Sequence, residues 1–457
     1  MSEMLSVSAQ ATNASPKKIP RVGIIGAGFG GLACAYELSA VGYSVDVFEA
    51  RNRLGGRVHS VPEFVPEQMV EYGAELIGSN HPLWLKYAEK FQIELKLLGG
   101  EEEDPDLILQ GERYTGENAR SLREEIERGH DELARDADIA IWDEPWETPG
   151  AERFDKMSLA DRIVVMKTTN RAKHALSTEF LMDMACDPGK MNYLALMCVI
   201  KAHGVDKYWT ETETYRCADG SQILASRLAA GITNGRVHLD SPVTRISSTN
   251  DKMTVGLRDG REFDFDDVVL TVPTSVWGRI EFDPPLPKML QPQMGSATKF
   301  ITSVSKRYWQ PQRTAEMMTD TLLGMTWEGG GVPDNDSGLL VSFAGGTVAE
   351  KIHAQPFAEQ TPMLRKKCEE LLPGYAQHHV KSEFIDWLGD PWSKGGYSFP
   401  LPGRFLQQAR ILRQGIGRLH FAGEHASNGF MGFMEGGLHS GVSVALRLAE
   451  RDNVVGG

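Results

Sequence analysis

The sequence predicts an α/β fold, in which a doubly wound parallel sheet is interleaved with a second, α+β domain. Three patterns near the start of the chain lead to this prediction. The apolar run Val22–Ile25 is typical of a buried strand, Gly31–Val41 carries apolar residues at helical spacing, and Tyr43–Phe48 is typical of a second buried strand. Together they form a strand–helix–strand unit of about 30 residues, which is the first half of a Rossmann-like domain.

The rest of the chain alternates between helical and strand patterns. Residues from about 80 to 208 are helical and charged, with Ser121–Asp138 as the clearest helix and a capping signal at Ser158. Strand patterns then return, and Asp259-Gly260 predicts a hairpin turn between two of them. The later predicted elements are the strands Val237–Leu239, Val243–Ser247, Met253–Leu257, Glu262–Phe265, Val268–Val272, Ala297–Ser305, Leu339–Phe343 and Leu419–Ala422, and the helix Gly437–Arg451.

This alternation implies two interleaved domains, each assembled from separated segments. A polar tail at 1–18 precedes them, and we expect it to be flexible. The first domain is predicted to take 19–74, 212–285 and 385–457, and the second to take 75–211 and 286–384.

Composition and charge exclude several classes of protein. Of the 457 residues, 48 are Lys or Arg and 62 are Asp or Glu, so the net charge is −14. This negative charge disfavours nucleic acid or an anionic membrane as a partner. The chain contains no run of about 18 apolar residues that would predict a membrane span. The first residues lack the apolar core of a signal peptide, so we expect a soluble, cytoplasmic protein.

The cysteines and histidines form no recognisable cluster. The five cysteines lie far apart without a CxxC pair, which argues against a disulfide framework or a zinc site. The 12 histidines are scattered, and no Ser-His-Asp or Cys-His arrangement is evident. We therefore predict no metal site.

The turn after the first strand matches a dinucleotide-binding motif. Gly26–Gly31 fits GxGxxG, in which the first glycine allows a tight turn, the second admits a pyrophosphate and the third lets helix and strand pack closely. Glu49 ends the second strand 18 residues after Gly31, where a carboxylate accepts hydrogen bonds from ribose hydroxyls. Its charge repels a 2′-phosphate, so NADP is disfavoured.

The continuation of this segment indicates a second contact with the dinucleotide. Glu49–Arg57 has the pattern E-x-x-x-R-x-G-G-R. The paired glycines Gly55 and Gly56 let another stretch of backbone approach the cofactor, and Arg57 is placed to bind the pyrophosphate by charge-assisted hydrogen bonds. A plain nicotinamide dehydrogenase does not need this second contact.

At these residues the sequence resembles the FAD-containing amine oxidase superfamily, which includes monoamine oxidases, polyamine oxidases and L-amino-acid oxidases. The resemblance runs from Arg21 to about Ala449. It implies a Rossmann-like FAD-binding domain interleaved with a substrate-binding domain, with the flavin ring at their junction. The cofactor-binding residues that it implies are Gly26, Gly28, Phe29, Gly30, Gly31, Glu49, Ala50, Arg51, Gly56, Arg57, Val243, Gly423, Glu424, Gly432 and Met434.

Two motifs near the end of the chain extend the resemblance. Leu419–Glu424 resembles the family's F-A-G-(E/D/T) segment, which implies that Glu424 lies near the flavin ribityl chain and the pyrophosphate. Gly432–Gly437 resembles G-(Y/W)-M-E-G-A, whose backbone N–H groups around Met434 meet the N1–C2=O end of the flavin. Phe433 takes the place of a tyrosine in monoamine oxidases and of a tryptophan in snake-venom-type L-amino-acid oxidases.

A third motif supplies an aromatic cage. Trp387–Ser398 resembles the W-x-x-D-P-x-x-x-G-x-Y-S segment of polyamine oxidases. The resemblance implies that Trp387 packs beside the flavin and that Tyr397 and Phe433 hold the substrate over flavin N5. Monoamine oxidases carry a flavin-bonded cysteine before this tyrosine, whereas this chain has Gly396, so we predict noncovalent FAD.

The fourth motif, Gly295–Lys299, resembles the G-S-x-x-K strand whose lysine holds a water near flavin N5 and assists the reaction of reduced flavin with O2. The implied catalytic residues are therefore Lys299, Tyr397, Phe433 and Trp387. The implied reaction is transfer of a hydride from the α-carbon of an amine to flavin, release of an imine that hydrolyses, and formation of H2O2 from O2.

The sequence leaves the substrate open between an amino acid and an amine. Snake-venom-type L-amino-acid oxidases bind the substrate carboxylate with an arginine in G-x-M-R-x-P, and Leu76 stands at that position here. Lys394 and Arg216 are other cations that could take this role. In favour of an amino acid, Met434–Leu438 resembles the M-E-G-G-L stretch of bacterial L-tryptophan oxidases. The predicted substrate-binding residues are Tyr397, Gly432, Phe433 and Leu76.

We therefore predict an L-amino-acid oxidase, with a soluble monoamine or polyamine oxidase as the alternative and a non-catalytic flavin-binding scaffold as a more remote one. The acidic run Glu101–Asp104 would attract cationic substrates, although such runs are usually solvated loops. The expected partners are a small amino acid or amine and O2, without nucleic acid or membrane, and a homo-oligomer is left open.

Overall fold

The computed structural model describes residues 19–65, 68–98, 105–249, 251–290, 293–309, 315–330 and 336–454. The predicted tail 1–18 and the acidic run Glu101–Asp104 lie outside these ranges. Within the described part of the chain, no helix is both long and apolar enough to cross a membrane.

A five-stranded sheet with all strands parallel forms the centre of the predicted first domain. Its first strand in the chain is also its middle strand, and Val22 and Ile24 there are fully buried, as expected for a strand covered on both faces. This confirms the predicted α/β class. In their order across the sheet the strands are Gly235–His238, Ser44–Phe48, Arg21–Ile25, Asp267–Leu270 and Leu419–Phe421.

Two helices from opposite ends of the chain pack closely against this sheet. The helix Phe29–Ala40 follows the first strand, and the helix Met434–Arg451 lies against it. A Cβ atom at Gly441 would lie 2.2 Å from the carbonyl oxygen of Gly30, so only glycine allows this approach. The glycine-rich turn and the last helix are therefore in direct contact, and both contribute residues to the candidate active site.

A mostly antiparallel seven-stranded sheet forms the second domain. Its strand Ala297–Val304, the second from one edge, is buried along its whole length and pairs with Gly338–Gly345 and His379–Asp386 on its two sides. This strand carries Lys299. In their order across the sheet the strands are His379–Asp386, Ala297–Val304, Gly338–Gly345, Met325–Glu328, Met317–Thr319, Asp106–Leu109 and Glu112–Tyr114.

Three smaller sheets complete the strands that the structure describes. In one of them Tyr215–Cys217 pairs with Leu76–Ile77 and Leu95–Leu97, so it joins segments that the sequence assigns to different domains. The domain boundaries themselves stay a prediction. The other small sheets contain Val243–Ser248, Met253–Leu257, Glu262–Phe265 and Glu281–Asp283, and Ser60–Val65 and Gln68–Glu71.

Most remaining helices cover the second domain, as the charged helical pattern predicts. The predicted capping signal at Ser158 is a capping box with Asp161. The remaining α-helices are Pro82–Phe91, Gly116–Ala137, Ala151–Asp155, Leu159–Val164, Asn170–Asp183, Tyr193–His203, Tyr208–Glu211, Gln222–Ala230, Gly346–His353, Phe357–Leu371, Tyr375–His378 and Phe405–Gln414. The short 3-10 helices are Pro145–Glu147, Pro188–Lys190, Thr274–Arg279 and Glu424–Ala426.

Candidate active site

The glycine-rich turn has the geometry that a pyrophosphate requires. Gly26 has a φ of +109°, which favours glycine, and a Cβ atom at Gly31 would lie 2.0 Å from the Gly26 carbonyl oxygen. A Cβ atom at Gly28 would meet nothing within 4 Å, so this backbone faces open space. That space lies at the N-terminus of the helix Phe29–Ala40, which favours an anion.

The paired glycines Gly55 and Gly56 lie beside this turn. Gly28 and Gly55 form a parallel β-bridge, and the Gly55 N–H donates to the Ala27 carbonyl at 2.9 Å. Gly56 is close enough that a Cβ atom there would lie 3.4 Å from Gly28 Cα. The two motifs thus bring two stretches of backbone to one cleft.

Glu49 is buried at the carboxyl end of its strand and is held by two backbone groups. Its carboxylate accepts from the Ala27 N–H at 2.8 Å and from the Arg51 N–H at 2.9 Å. The Ser241 N–H donates to the Glu49 carbonyl at 2.8 Å, which brings the start of the strand with Val243 alongside. Each carboxylate oxygen of Glu49 still has a lone pair for a ribose hydroxyl.

Arg57 and Glu424 form an ion pair that connects the segment Glu49–Arg57 with the segment Leu419–Glu424. Arg57 Nη1 lies 2.8 Å from Glu424 Oε1 and donates to the Gly396 carbonyl at 2.6 Å. Burial alone would raise the pKa of Glu424, but Arg57 holds it below its usual range. Glu424 also accepts from the hydroxyl of Ser398 at 2.7 Å and from the Gly432 N–H at 2.9 Å. It therefore ties together three of the predicted cofactor segments.

The predicted cage residues gather around Gly432. A Cβ atom at Gly432 would lie 3.4 Å from the Tyr397 ring, and Phe433 follows it directly. The Tyr397 ring stacks on Phe343 at 6.4 Å between centroids, and its hydroxyl donates to the main-chain carbonyl of Asp183 at 2.5 Å. Phe433 packs on two buried histidines, His81 and His203, at 5.4 and 4.5 Å between ring centroids.

Lys299 is deeply buried and fully engaged with the protein. Its Nζ atom lies 2.8 Å from Glu75 Oε2 and donates to the carbonyls of Glu71 at 2.9 Å and Gly73 at 3.2 Å. An ammonium group has three protons, so these three acceptors use all of them. The predicted water at Lys299 would have to share or replace one of these contacts.

Trp387 contacts the same stretch of backbone as Lys299. Its indole N–H donates to the Tyr72 carbonyl at 3.1 Å. The next residue along the chain, Gly73, packs so tightly that a Cβ atom there would lie 2.0 Å from the Arg57 carbonyl oxygen. Lys299 and Trp387 therefore clamp residues 71–75 against the segment that carries Arg57.

Two carboxylates that the motifs do not predict face the enclosed space near Tyr397. The side chains of Asp183 and Glu213 are accessible to solvent, yet burial raises the pKa of Asp183 well above its usual range and that of Glu213 to about 7. Both carboxylates thus lie in a recess near Tyr397 that is open to water, and both raise the pKa of that tyrosine. The structure gives neither carboxylate a hydrogen bond or an ion pair within the described residues.

Leu76 and Arg216 face one another across a short antiparallel pair. Arg216 Nε lies 2.9 Å from Glu75 Oε1, the oxygen of Glu75 that Lys299 does not bind. Lys394 is exposed on the surface. Of the cations considered for a substrate carboxylate, Arg216 is thus the one near this site, and it is already paired.

Sequence reasoning missed three groups at this site. Glu75 lies within the stretch that contains Leu76, but only the fold shows that it pairs with Lys299 and Arg216. Asp183 ends a helix, and Glu213 lies in an irregular segment before a strand, so neither has a motif around it. A search for acidic residues without a partner needs the three-dimensional structure.

A family comparison agrees with this geometry. A model of the family described as flavin containing amine oxidoreductase matches residues 29–449. A probable flavin-containing monoamine oxidase A from Dictyostelium discoideum is 25% identical over 94% of this chain and 97% of that protein. An L-amino acid dehydrogenase from Synechocystis is 24% identical over 92% of this chain and 93% of that protein.

Among solved structures, cyclohexylamine oxidase from Brevibacterium oxydans matches the fold with a TM-score of 0.83 at 23% identity, over 95% of this chain and all of that chain. The family match confirms the predicted cofactor, FAD, and the predicted class of enzyme, an oxidoreductase of amines. The cleft around Gly28, the pair of Arg57 and Glu424, and the lone pairs of Glu49 fit this dinucleotide. Gly396 has no side chain to bond the flavin. The chain belongs to the family of flavin-containing amine oxidoreductases.

Proposed function

We propose that this protein oxidises a cationic amine with FAD and passes the electrons to O2. The observation that carries this proposal is the pair of unpartnered carboxylates, Asp183 and Glu213, in the enclosed space beside Tyr397. FAD supplies the acceptor for the hydride that leaves the α-carbon of the substrate. The protein supplies the cavity, the aromatic walls and the charge.

The charges of this cavity favour an amine over an amino acid. The carboxylates of Glu179 and Glu213 raise the pKa of Asp183, and that of Glu75 raises the pKa of Glu213, in each case after burial as the largest cause. Arg216 opposes this shift at Glu213 without offsetting it, so an ionised carboxylate here is short of positive charge and favours an ammonium group as its partner. The same carboxylates would repel the carboxylate of an amino acid, and the Leu76 side chain offers that carboxylate no hydrogen bond.

The acidic groups also have a role in preparing the amine. An ammonium ion must lose a proton before its α-carbon can release a hydride, because the lone pair of nitrogen stabilises the developing imine. Glu213, with a pKa of about 7, is suited to accept that proton at neutral pH. Tyr397 and Phe433 then hold the neutral amine in an aromatic environment that excludes water.

An L-amino acid is the second candidate, and two observations favour it. One relative is an L-amino acid dehydrogenase. Arg216 pairs with Glu75 through Nε only, and Nη1 contacts the Gly330 carbonyl at 3.3 Å, so its guanidinium retains other N–H groups for a carboxylate. In this alternative, Arg216 binds the carboxylate and the acidic groups bind the amino group.

We keep the predicted roles of Lys299, Trp387, Tyr397 and Phe433 as part of the proposal. A scaffold without turnover would have no use for a solvent-accessible, acidic cavity beside an aromatic pair. The expected partners remain the amine and O2, and cytoplasmic localisation remains an expectation from the sequence.

Matched substrates that differ only by a carboxylate test the proposal. The FAD-loaded protein is assayed for H2O2 with 2-phenylethylamine against L-phenylalanine, and with cyclohexylamine and putrescine as further amines. We expect kcat/KM for 2-phenylethylamine to exceed that for L-phenylalanine by about 100-fold, since a buried unpaired charge is costly. A preference for L-phenylalanine would overturn the proposal in favour of the amino acid, and a lack of turnover with every substrate would favour the scaffold.

A further inference from the structure

Two buried histidines pack on Phe433, the ring that the proposed function uses as one wall of the aromatic cage. We propose that His81 and His203 are positioning residues, which fix this ring where it meets the substrate. The inference rests on the proposed function, because it concerns how the same site holds its substrate. Neither histidine belongs to the residues that the family resemblance implies.

The rings of Phe433 and the two histidines are in mutual contact. The centroid of Phe433 lies 5.4 Å from that of His81 and 4.5 Å from that of His203, and the two histidines are themselves 5.4 Å apart. His81 is 1% exposed and His203 is 2% exposed, whereas Phe433 is partly accessible. The histidines therefore support the ring from the protein interior, and Phe433 is the member of the three that a substrate can reach.

Each histidine is anchored to the main chain through its Nδ1 atom. The Gly78 N–H donates to Nδ1 of His81, and Nδ1–H of His203 donates to the Val199 carbonyl, at 2.8 Å in both cases. Burial lowers the pKa of His81 to about 3 and that of His203 to about 4, so both rings are neutral at physiological pH. A phenyl ring could not be anchored in this way. Each imidazole thus presents a face of fixed orientation to Phe433.

The main chains that carry two of these rings are also joined. His81 directly precedes the helix Pro82–Phe91, and Phe433 directly precedes the helix Met434–Arg451. Glu435, in the first turn of the second helix, accepts two main-chain N–H groups from the first turn of the other at 2.9 Å each. The freedom that remains to Phe433 is rotation of its side chain, and this is what the histidines restrict.

The position of Phe433 should affect the chemical step more than it affects binding. A cage wall acts by holding the α-carbon of the amine in line for hydride transfer, and a misplacement of about 1 Å can lower the rate of such a step roughly 100-fold. A bound amine would still meet the carboxylates of Asp183 and Glu213 if the wall were loosened. Loss of a supporting histidine should therefore lower the rate of flavin reduction with little change in affinity.

A double-mutant cycle tests whether His203 acts through Phe433. The FAD-loaded wild type, His203→Leu, Phe433→Ala and the double variant are reduced anaerobically with the substrate that wild type oxidises fastest. Bleaching of the flavin band gives the limiting rate and the Kd. We expect His203→Leu to lower the limiting rate about tenfold and to change Kd by less than about threefold, but to have almost no further effect in the Phe433→Ala background. Equal effects in the two backgrounds would overturn the proposal.

Conservative variants test the main-chain anchors. His81→Phe and His203→Phe each keep a ring but lose the Nδ1 hydrogen bond, so we expect limiting rates about threefold below that of wild type. Exposed His353→Leu is the matched control, and FAD content reports that each variant is folded. A wild-type limiting rate in both phenylalanine variants would contradict the anchoring.

A crystal structure of FAD-loaded His203→Leu gives a readout that needs no turnover. We expect the Phe433 ring to leave its wild-type position or to occupy two rotamers. A single, unchanged position of this ring would overturn the proposal whatever the activity. Failure of the proposed function is distinguishable, because it shows in the wild type itself, as a preference for L-phenylalanine or as a lack of turnover.

Discussion

The Nζ atom of Lys299 lies 2.8 Å from Oε2 of Glu75, and both side chains are almost completely buried. Burial by itself would raise the pKa of Glu75, but Lys299 and Arg216 outweigh it and hold that pKa below its usual range, so Glu75 is ionised. The charge of Lys299 is thereby balanced within the protein. Glu75 becomes a positioning residue for the lysine that the family resemblance places near flavin N5.

The Lys299–Glu75 pair predicts how reduced flavin reacts with O2. Glu75→Gln removes the balancing charge and should speed this reaction several-fold, because the positive charge then acts on the oxygen that is being reduced. Lys299→Met should slow it by about tenfold or more. Stopped-flow mixing of dithionite-reduced protein with O2 measures the rate without any need for a substrate.

Exposed Lys306→Met is the matched control for this comparison. The midpoint potential of the flavin gives an independent readout, which should rise in Glu75→Gln and fall in Lys299→Met. Reoxidation by O2 at the wild-type rate in Lys299→Met would contradict the role assigned to this lysine.

The pair of Arg57 and Glu424 predicts how strongly FAD is bound. Arg57→Met leaves Glu424 buried without its cation, a change that typically costs about 3–5 kcal/mol. The purified variant should therefore retain much less FAD than wild type, and its Kd for added FAD should rise at least 100-fold. Flavin absorbance after gel filtration measures the content. Exposed Arg404→Met serves as the control, and wild-type FAD content in Arg57→Met would refute the assignment.

Glu435 predicts a specific pH dependence of stability. Its carboxyl group is completely buried and accepts from the N–H groups of Leu83 and Trp84 at 2.9 Å each. Burial raises its pKa to about 7, although these two N–H groups lower it. The unfolded chain releases this proton near pH 4.5, so the folded state is favoured by this group at low pH, and that contribution is lost as the pH rises to about 7.

The measurement compares wild type with Glu435→Gln, which does not titrate. The free energy of unfolding of wild type, relative to the variant, should fall by about 3 kcal/mol between pH 4.5 and 7 and then stay level. Urea denaturation of the FAD-loaded proteins at several pH values provides the difference. Parallel stability curves for the two proteins would show that Glu435 does not titrate in this range.

The absence of a side chain at Gly396 predicts that the flavin is released by acid. Trichloroacetic acid should precipitate the protein and leave all FAD in the supernatant, where its absorbance is measured. Flavin that stays with the pellet would mean that another residue bonds it covalently.

Local motifs carry most of what the sequence reveals about this protein. The GxGxxG turn and Glu49 are predictable because the strand, the tight turn and the helix around them are each encoded in a short run of residues. Once these elements are known, the contacts between the turn and Glu49 follow directly. Lys299 and Tyr397 are found in the same way through motifs, although their partners are not. Glu75, Asp183 and Glu213 acquire their importance from residues far along the chain. No local pattern encodes whether a buried carboxylate has a partner, so the charge of the cavity becomes visible only in the fold.

The most direct test of the central claim is the rate at which the flavin is reduced in the absence of O2. FAD-loaded protein is mixed anaerobically with 2-phenylethylamine or L-phenylalanine, and bleaching of the flavin band is followed in wild type and in Asp183→Asn/Glu213→Gln, with exposed Glu359→Gln as the control. We predict that the amine bleaches wild type at least tenfold faster than the amino acid, and that the double variant loses this preference. Faster bleaching by L-phenylalanine, or an unchanged preference in the double variant, would contradict the account.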